Sequence, residues 1–236
     1  MRTTVYVDGF NLYHSALEAR PQFRWLDLHA LAVNALDGAH TVTRVRYFTA
    51  RVKGVDGDQG GPQRQDIYTR ALECHCPNIS VHWGRFVQRE KWKRLVESMT
   101  RCFSPCPTKV LTWHREEKGS DVNLVVHLLN DAWRDAYDCA VLLSDDSDLA
   151  EPLSLVRAMG KRVVLLTPIS LQGRQGRTPN TSERVPARDL LKHADGYRHL
   201  SVKHLAVSQL PDPVVNPKNS RRYARPKTWD IRLEAA

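Results

Sequence analysis

The chain alternates between short runs of consecutive apolar, β-branched residues and longer stretches in which apolar positions recur every three or four residues. Thr3 to Val7 is the first run and stops at Asp8-Gly9, which predicts a buried strand that delivers Asp8 at its carboxyl end. Leu28, Leu31, Ala32 and Leu36 share one helical face closed by Gly38, and Val42 to Val52 reads as a second strand. After a polar, Gly-rich loop from Gly54 to Pro62, Gln63 to Cys74 has helical spacing and Asn78 to Val87 alternates as a third strand. Gln88 to Pro107 has no clean period, and Lys109 to Trp113 is expected as a short edge strand. Val122, Val125, Val126, Leu129, Trp133 and Ala136 form a helical stripe, with Ser120 as the expected cap. Cys139 to Leu143 is continuously apolar, as in a strand covered on both faces, and ends in Ser144-Asp145-Asp146-Ser147-Asp148. A helix from Leu149 to Met159, stopped by Gly160, and a strand from Lys161 to Leu166 complete the pattern. Strand and helix in alternation predict an α/β fold, a doubly wound and mainly parallel sheet with helices on both faces, whose ligands sit at the strands' carboxyl ends.

One domain over residues 1–210 accounts for these elements, with Leu190 to Leu210 as a last amphipathic segment packing back. Ile169 to Glu183, rich in Gly, Gln, Arg, Thr and Ser, is expected to be a mobile loop. Residues 211–236 read as a basic, flexible tail whose Lys218, Arg221, Arg222, Arg225 and Lys227 suit phosphates. The formal charge of +9, from 35 Lys and Arg against 26 Asp and Glu, favours a polyanionic partner. The apolar runs are too short for a signal peptide or a membrane span, so a cytoplasmic protein without membrane contact is expected. Cys74, Cys76, Cys102, Cys106 and Cys139 are an odd set best read as reduced thiols. Cys74-His75-Cys76 with Cys102 and Cys106 half-fits a structural Zn²⁺ site, which is the lesser reading.

The acidic residues change the picture most. Asp8 ends one strand, Asp145, Asp146 and Asp148 follow another, and Asp121 begins a helix, so a doubly wound sheet brings them to one edge. Carboxylates crowded in a cleft raise one another's pKa, and a divalent cation relieves the repulsion. Hard oxygen ligands select Mg²⁺ or Mn²⁺. Such an ion makes phosphodiester hydrolysis the natural chemistry, with Asn11 placed to hold a phosphate oxygen or a metal-bound water. Arg85 to Arg101 interleaves cations with Phe86 and Trp92, a mix that suits single-stranded nucleic acid.

VDGFNLY, EKGSDVNLVVHLL and VLLSDDSDLAEPLSLVRAMGKRV together resemble the NYN domain of the PIN-like nuclease superfamily, in its bacterial LabA-like branch, over roughly Val5 to Leu210. The resemblance implies a metal-dependent endoribonuclease with Asp8, Asp121, Asp146 and Asp148 as catalytic metal ligands, Asn11 as a polar partner, and Lys118 reaching a substrate phosphate. Its partner would be RNA, single-stranded or structured, and a homodimer is compatible with it. One departure stands out: Asp145 replaces a Gly of the family pattern, where a positive φ is expected. The competing reading is an RNA-binding module that does not cut, within an RNA-processing or defence assembly. Covalent phosphoryl transfer through Asp8 lacks the acid two residues on, since Phe10 stands there, and neither a dinucleotide fingerprint nor a phosphate-loop lysine is present.

Overall fold

The computed structural model describes residues 1–54, 58–95, 108–167 and 187–230. In chain order the strands are β1 Arg2–Asp8, β2 Thr41–Ala50, β3 Ile79–Arg94, β4 Lys109–Lys118, β5 Cys139–Leu143, β6 Arg162–Thr167 and β7 Gly196–His199. Side by side they run β4-β3-β2-β1-β5-β6-β7 in a single sheet. Every neighbouring pair is parallel except β3 with β4. The chain winds outward from β1 through β2 to β3, returns to the centre at β5, and winds the other way to β7. The carboxyl ends of β1 and β5 therefore flank the point where the order reverses, where such sheets bind ligands.

Side-chain alternation along the central strands builds two cores. Val5, Val7 and Val141 join Trp25, Leu31 and Leu72 on one face, whereas Tyr6, Ala140 and Leu142 join Leu124, Leu128 and Leu153 on the other. The first core is covered by helices α1 Gly9–Leu12, which runs on as a π turn Tyr13–Leu17, α2 Leu28–Ala35, α3 Gly61–His75 and, last in the chain, α7 Val202–Val207. The second is covered by α4 Ser120–Trp133, α5 Ala150–Ala158 and α6 Arg188–Leu191. All five residues of β5 are buried, as its unbroken apolar run requires. Gly160, at φ 75, ends α5 in the left-handed conformation that glycine adopts most easily.

Three regions differ from the sequence reading. The irregular middle is in part a long antiparallel arm, because β3 runs to Arg94 and pairs with all of β4, from Arg85 opposite Lys118 to Arg94 opposite Lys109. Its period was hard to read because much of the arm is exposed on both faces, with Trp92 at 64% and Trp113 at 67% on one and Arg89 and Lys91 exposed on the other, so no core imposes alternation.

On α4 the helix is where expected, but Val122, Val126 and Trp133 are 66%, 56% and 82% exposed, and Leu124, Leu128 and Ala132 are buried instead. Asp131 decides the rotation. Its carboxylate accepts from Arg46 Nε at 2.6 Å and from the Tyr6 hydroxyl at 2.8 Å in the second core. Leu128 and Leu124, one and two turns earlier, turn inward with it.

The stretch beyond Pro211 is no flexible tail over its described part. Strands Val214–Val215 (β8) and Arg222–Tyr223 (β9) pair antiparallel, and Val214 and Trp229 are buried in the first core. Trp229 packs 6.4 Å from Trp25 and 6.1 Å from Tyr68, ring centroid to centroid. The basic residues between them obscured two anchoring apolar positions. The loop expected from Ile169 to Glu183 lies outside the described residues.

Candidate active site

Asp8 is the last residue of β1 and the N-cap of α1, accepting from the amides of Phe10 at 3.1 Å and Asn11 at 3.0 Å through Oδ1. Its Oδ2 accepts from the Ser144 hydroxyl at 2.9 Å, and the same hydroxyl accepts from the Asp146 amide at 3.2 Å. Ser144 thus ties the end of β1 to the loop after β5. Burial pushes the Asp8 carboxyl up, helped by the charge of Asp146, while the hydrogen bonds from Asn11, Ser144 and Phe10 pull it down; the net direction is upward. Gly9 belongs here because a Cβ would lie 2.7 Å from both the Phe48 carbonyl and the Tyr47 ring, so the Asp-Gly pair marks a close approach as well as a strand end.

Asp146 caps the turn Ser147–Leu149, accepting from the Asp148 amide at 3.0 Å. Asp121 sits in the first turn of α4. Although it is solvent-exposed, its carboxyl is pushed up to about 6, first by partial burial and then by the charges of Asp8, Glu117, Asp146 and Asp148. Asp8, Asn11, Asp121 and Asp146 line one cleft of about 640 Å³ with Glu18, Glu117 and Ser120. Asp148 is exposed and acts on Asp121 through its charge.

The structure does not bring every expected residue to the cleft. Lys118 is exposed and pairs with Glu116 at 2.7 Å, and it is not among the lining residues. Asp145 has no positive φ; its Oδ1 accepts from the Ala187 amide at 2.9 Å, so it joins this loop to the start of α6. Ser120 is not the cap of α4: Gly119, at φ 97, holds that position, and Glu117 Oε1 accepts from the Ser120 amide at 3.0 Å. The sequence reading passed over Glu117, Glu18 and Ser144, and gave His14 no catalytic role. Glu117 was hidden because β4 was cut short at Trp113; once the arm is continuous, Glu117 pairs with Phe86 and both line the cleft.

A cation suits these groups by chemistry. The donors are all oxygens, the carboxylates raise one another's pKa, and both Asn11 Oδ1 and Ser120 Oγ are buried without a partner among the described residues. Among the described residues no three Asp, Glu, His or Cys side chains stand close enough together to hold one ion by themselves. The zinc reading loses ground: Cys76 donates to Asp27 at 3.3 Å, and burial followed by that neighbouring charge pushes its thiol well up, away from the thiolate a zinc needs. Cys102 and Cys106 lie outside the described residues.

The pattern of the NYN domain matches residues 2–187 of the chain. At 28% identity over 250 aligned positions, the chain is similar to 6-hydroxy-3-succinoylpyridine 3-monooxygenase HspA of Pseudomonas putida strain S16, covering 97% of this chain and 75% of that protein. A crystal structure of a protein of unknown function from Vibrio parahaemolyticus aligns with a TM-score of 0.47 at 16% identity, over 85% of this chain and 93% of that one. No helix among the described residues is long and apolar enough to cross a membrane.

Proposed function

Because the chain belongs to the NYN domain family, we propose that it is a PIN-like nuclease that cuts RNA internally with the help of Mg²⁺ or Mn²⁺. One observation carries the reading: acids from three separate strand and helix ends meet at the reversal of the sheet, where partial burial first and then their charges push the Asp121 carboxyl up to about 6. Groups that repel one another at a ligand-binding edge are maintained there for chemistry. Asp8, Asp121 and Asp146 in the cleft, with Asp148 beside it, would share a hydrated ion, one or two of them directly and the rest through its waters, and such an ion lowers the pKa of a water and stabilises charge on phosphate. Asp8 is fixed by two amides and Ser144, so it meets the cation without reorganising. Asn11 Oδ1, buried and unpartnered, is an acceptor for a water proton. Phe10 and Phe86, in edge contact at 5.5 Å, form the apolar rim of the same cleft.

RNA in single-stranded form fits the arm of β3 and β4. Its cleft-side face carries Phe86, Trp92, Trp113 and Arg115, and the other face carries Arg85, Arg89, Lys91 and Lys93. Exposed indoles serve base stacking, and Arg115 on the same face serves backbone contact while the cations of the other face add long-range attraction. Two points are carried by less. The LabA-like branch rests on the motifs alone, and a homodimer would have the exposed stripe of Val122, Val126 and Trp133 as its contact.

The deciding assay is cleavage of end-labelled RNAs by wild type and Asp146→Asn with Mn²⁺, Mg²⁺ or EDTA. Metal-dependent cutting that disappears in the variant, with RNA still bound, is the expected result; retained binding without cutting by either protein would make the chain a binding module. The name of the Pseudomonas relative supports a second reading, oxygenation of an aromatic acid. A second, aromatic-lined chamber next to the cleft gives that reading a site, and turnover of hydroxypyridine acids with a reductant and O₂ tests it.

A further inference from the structure

Next to the acidic cleft lies a second chamber of about 470 Å³, sharing Phe10, His14 and Phe86 with it. The electrostatics reverse across that shared wall. The cleft is lined by Asp8, Glu18, Glu117, Asp121 and Asp146, whereas the chamber is lined by Arg24, Lys53, Arg64 and Arg115 with Asp58 as the one acid among the described residues. Its lining is aromatic: Tyr13, Tyr47, Tyr68 and Trp229 join Phe10 and Phe86.

Most polar atoms of the chamber are already committed. Tyr68 donates to the Leu26 carbonyl at 2.9 Å, and Gln65 joins the Ala50 carbonyl and the Val52 amide, both at 2.9 Å. The exception is Trp229, only 7% exposed, whose indole Nε1 has no partner among the described residues. A buried donor left unmade costs free energy, and because this N–H has almost no accessible surface, a ligand's acceptor meets it only as the indole shifts toward the chamber on binding. Three features specify that ligand: a flat ring for the aromatic walls, an acceptor for the indole N–H, and negative charge for the arginines.

We infer that this chamber holds one nucleotide, the neighbour of the phosphodiester at the acidic cleft, with its base beside Tyr47, Tyr68 and Trp229 and its phosphate on Arg24 or Arg115, since Arg64 is already paired with Asp58. The inference rests on the nuclease reading for what occupies the cleft and adds where base preference comes from. Arg24 lies over the Tyr13 ring at 5.2 Å and Arg115 over Phe86 at 5.9 Å, so two of the cations are held at the chamber's walls rather than free in solvent.

Isothermal titration of the full chain carrying Asp146→Asn, in EDTA, tests this with adenosine and uridine 5′-monophosphates, ribose 5-phosphate, adenosine and benzoate. The nucleotides are expected to bind at least about 10-fold more tightly than ribose 5-phosphate or adenosine, because each fragment keeps only part of the recognition. Adding Trp229→Phe, which keeps a ring and removes the N–H, should weaken them by about 5-fold, the worth of one hydrogen bond. Arg115→Gln, at an exposed position, should weaken them and flatten their salt dependence. Equal affinity for ribose 5-phosphate, benzoate as tight as nucleotide, or nucleotide binding untouched by both substitutions would each overturn the inference. RNA cutting by wild type is scored separately: cutting without nucleotide binding sinks the chamber and leaves the nuclease, and nucleotide binding without cutting does the reverse.

Discussion

Replacing Asp121 by Asn should make the metal-free protein more stable while removing its activity. The folded carboxyl titrates at about 6 against an ordinary value of 3.8, so between those values the folded state binds a proton that the unfolded chain does not. This is the reverse of the usual carboxylate: stability falls as pH rises from about 4 to about 6 and stays low above. Each unit of such a shift is worth about 1.4 kcal/mol in full. Asp121 is solvent-exposed, so screening takes away much of that, and Asn also forfeits the attraction of a negative charge for the start of α4, worth about 0.3–1 kcal/mol. A net gain of about 1 kcal/mol at pH 8 is left, or roughly 2–4 °C in melting temperature for a chain of this size. Thermal unfolding in EDTA at pH 8 and pH 4, then at pH 8 with Mn²⁺, measures it. The Asp121→Asn variant should melt higher at pH 8, the two proteins should coincide at pH 4, and Mn²⁺ should raise the wild type more than the variant. A variant that melts lower than wild type at pH 8 in EDTA, or a gain of equal size at pH 4, would refute the electrostatic account of the site.

Other outcomes follow from the contacts already described. Ser144→Ala removes the hydroxyl that holds Asp8 Oδ2, so the Asp8 carboxyl should rise further and cleavage at pH 7 should drop by about 10-fold, the kinetic worth of a hydrogen bond to a charged group; the acid limb of the pH–rate profile should move upward, and an unmoved limb would show that Ser144 is only filler. Asp131→Asn leaves Arg46 half-buried without its ion pair and should cost roughly 3–5 kcal/mol in urea unfolding at pH 7. Burial raises the Asp131 carboxyl, but the bonds from Arg46 and Tyr6 hold it below the ordinary range, so this contribution is present above pH 4 and is lost as pH falls through the folded pKa; a loss under 1 kcal/mol would contradict the pairing. Trp229→Ala should destabilise by about 3–5 kcal/mol, as in a core, and a loss within about 0.5 kcal/mol would return residues 211–230 to the status of a tail.

The order of strands and helices was legible because the central strands carry no competing signal: an apolar run such as Cys139 to Leu143 has few other uses. The acids were legible because they terminate those runs. What escaped notice depended on long-range pairing. The rotation of α4 was undecidable from two apolar stripes of similar spacing until Asp131 found Arg46 and Tyr6, residues far away in the chain. Glu117 looked like one charge among many until antiparallel pairing set it beside Phe86 at the cleft. Ser144 reads as an ordinary turn residue; only the adjacency of β1 and β5 gives it a carboxylate to hold. Trp229 was discounted by the company it keeps, since Arg and Lys within a few residues mask the anchor.

The acids sit between the two innermost strands, and the arm is built from the outermost two on one side. The base of the arm belongs to the site, through Phe86, Arg115 and Glu117, but its outer part does not: rewriting the strands beyond Arg89 and His114 leaves β1, β5, the cleft lining and their hydrogen bonds untouched. On the proposed nuclease reading the sheet's centre is a fixed head and the outer arm an exchangeable handle, and transplanting residues 90–113 between relatives should carry the choice of RNA with it while the metal requirement stays with the recipient.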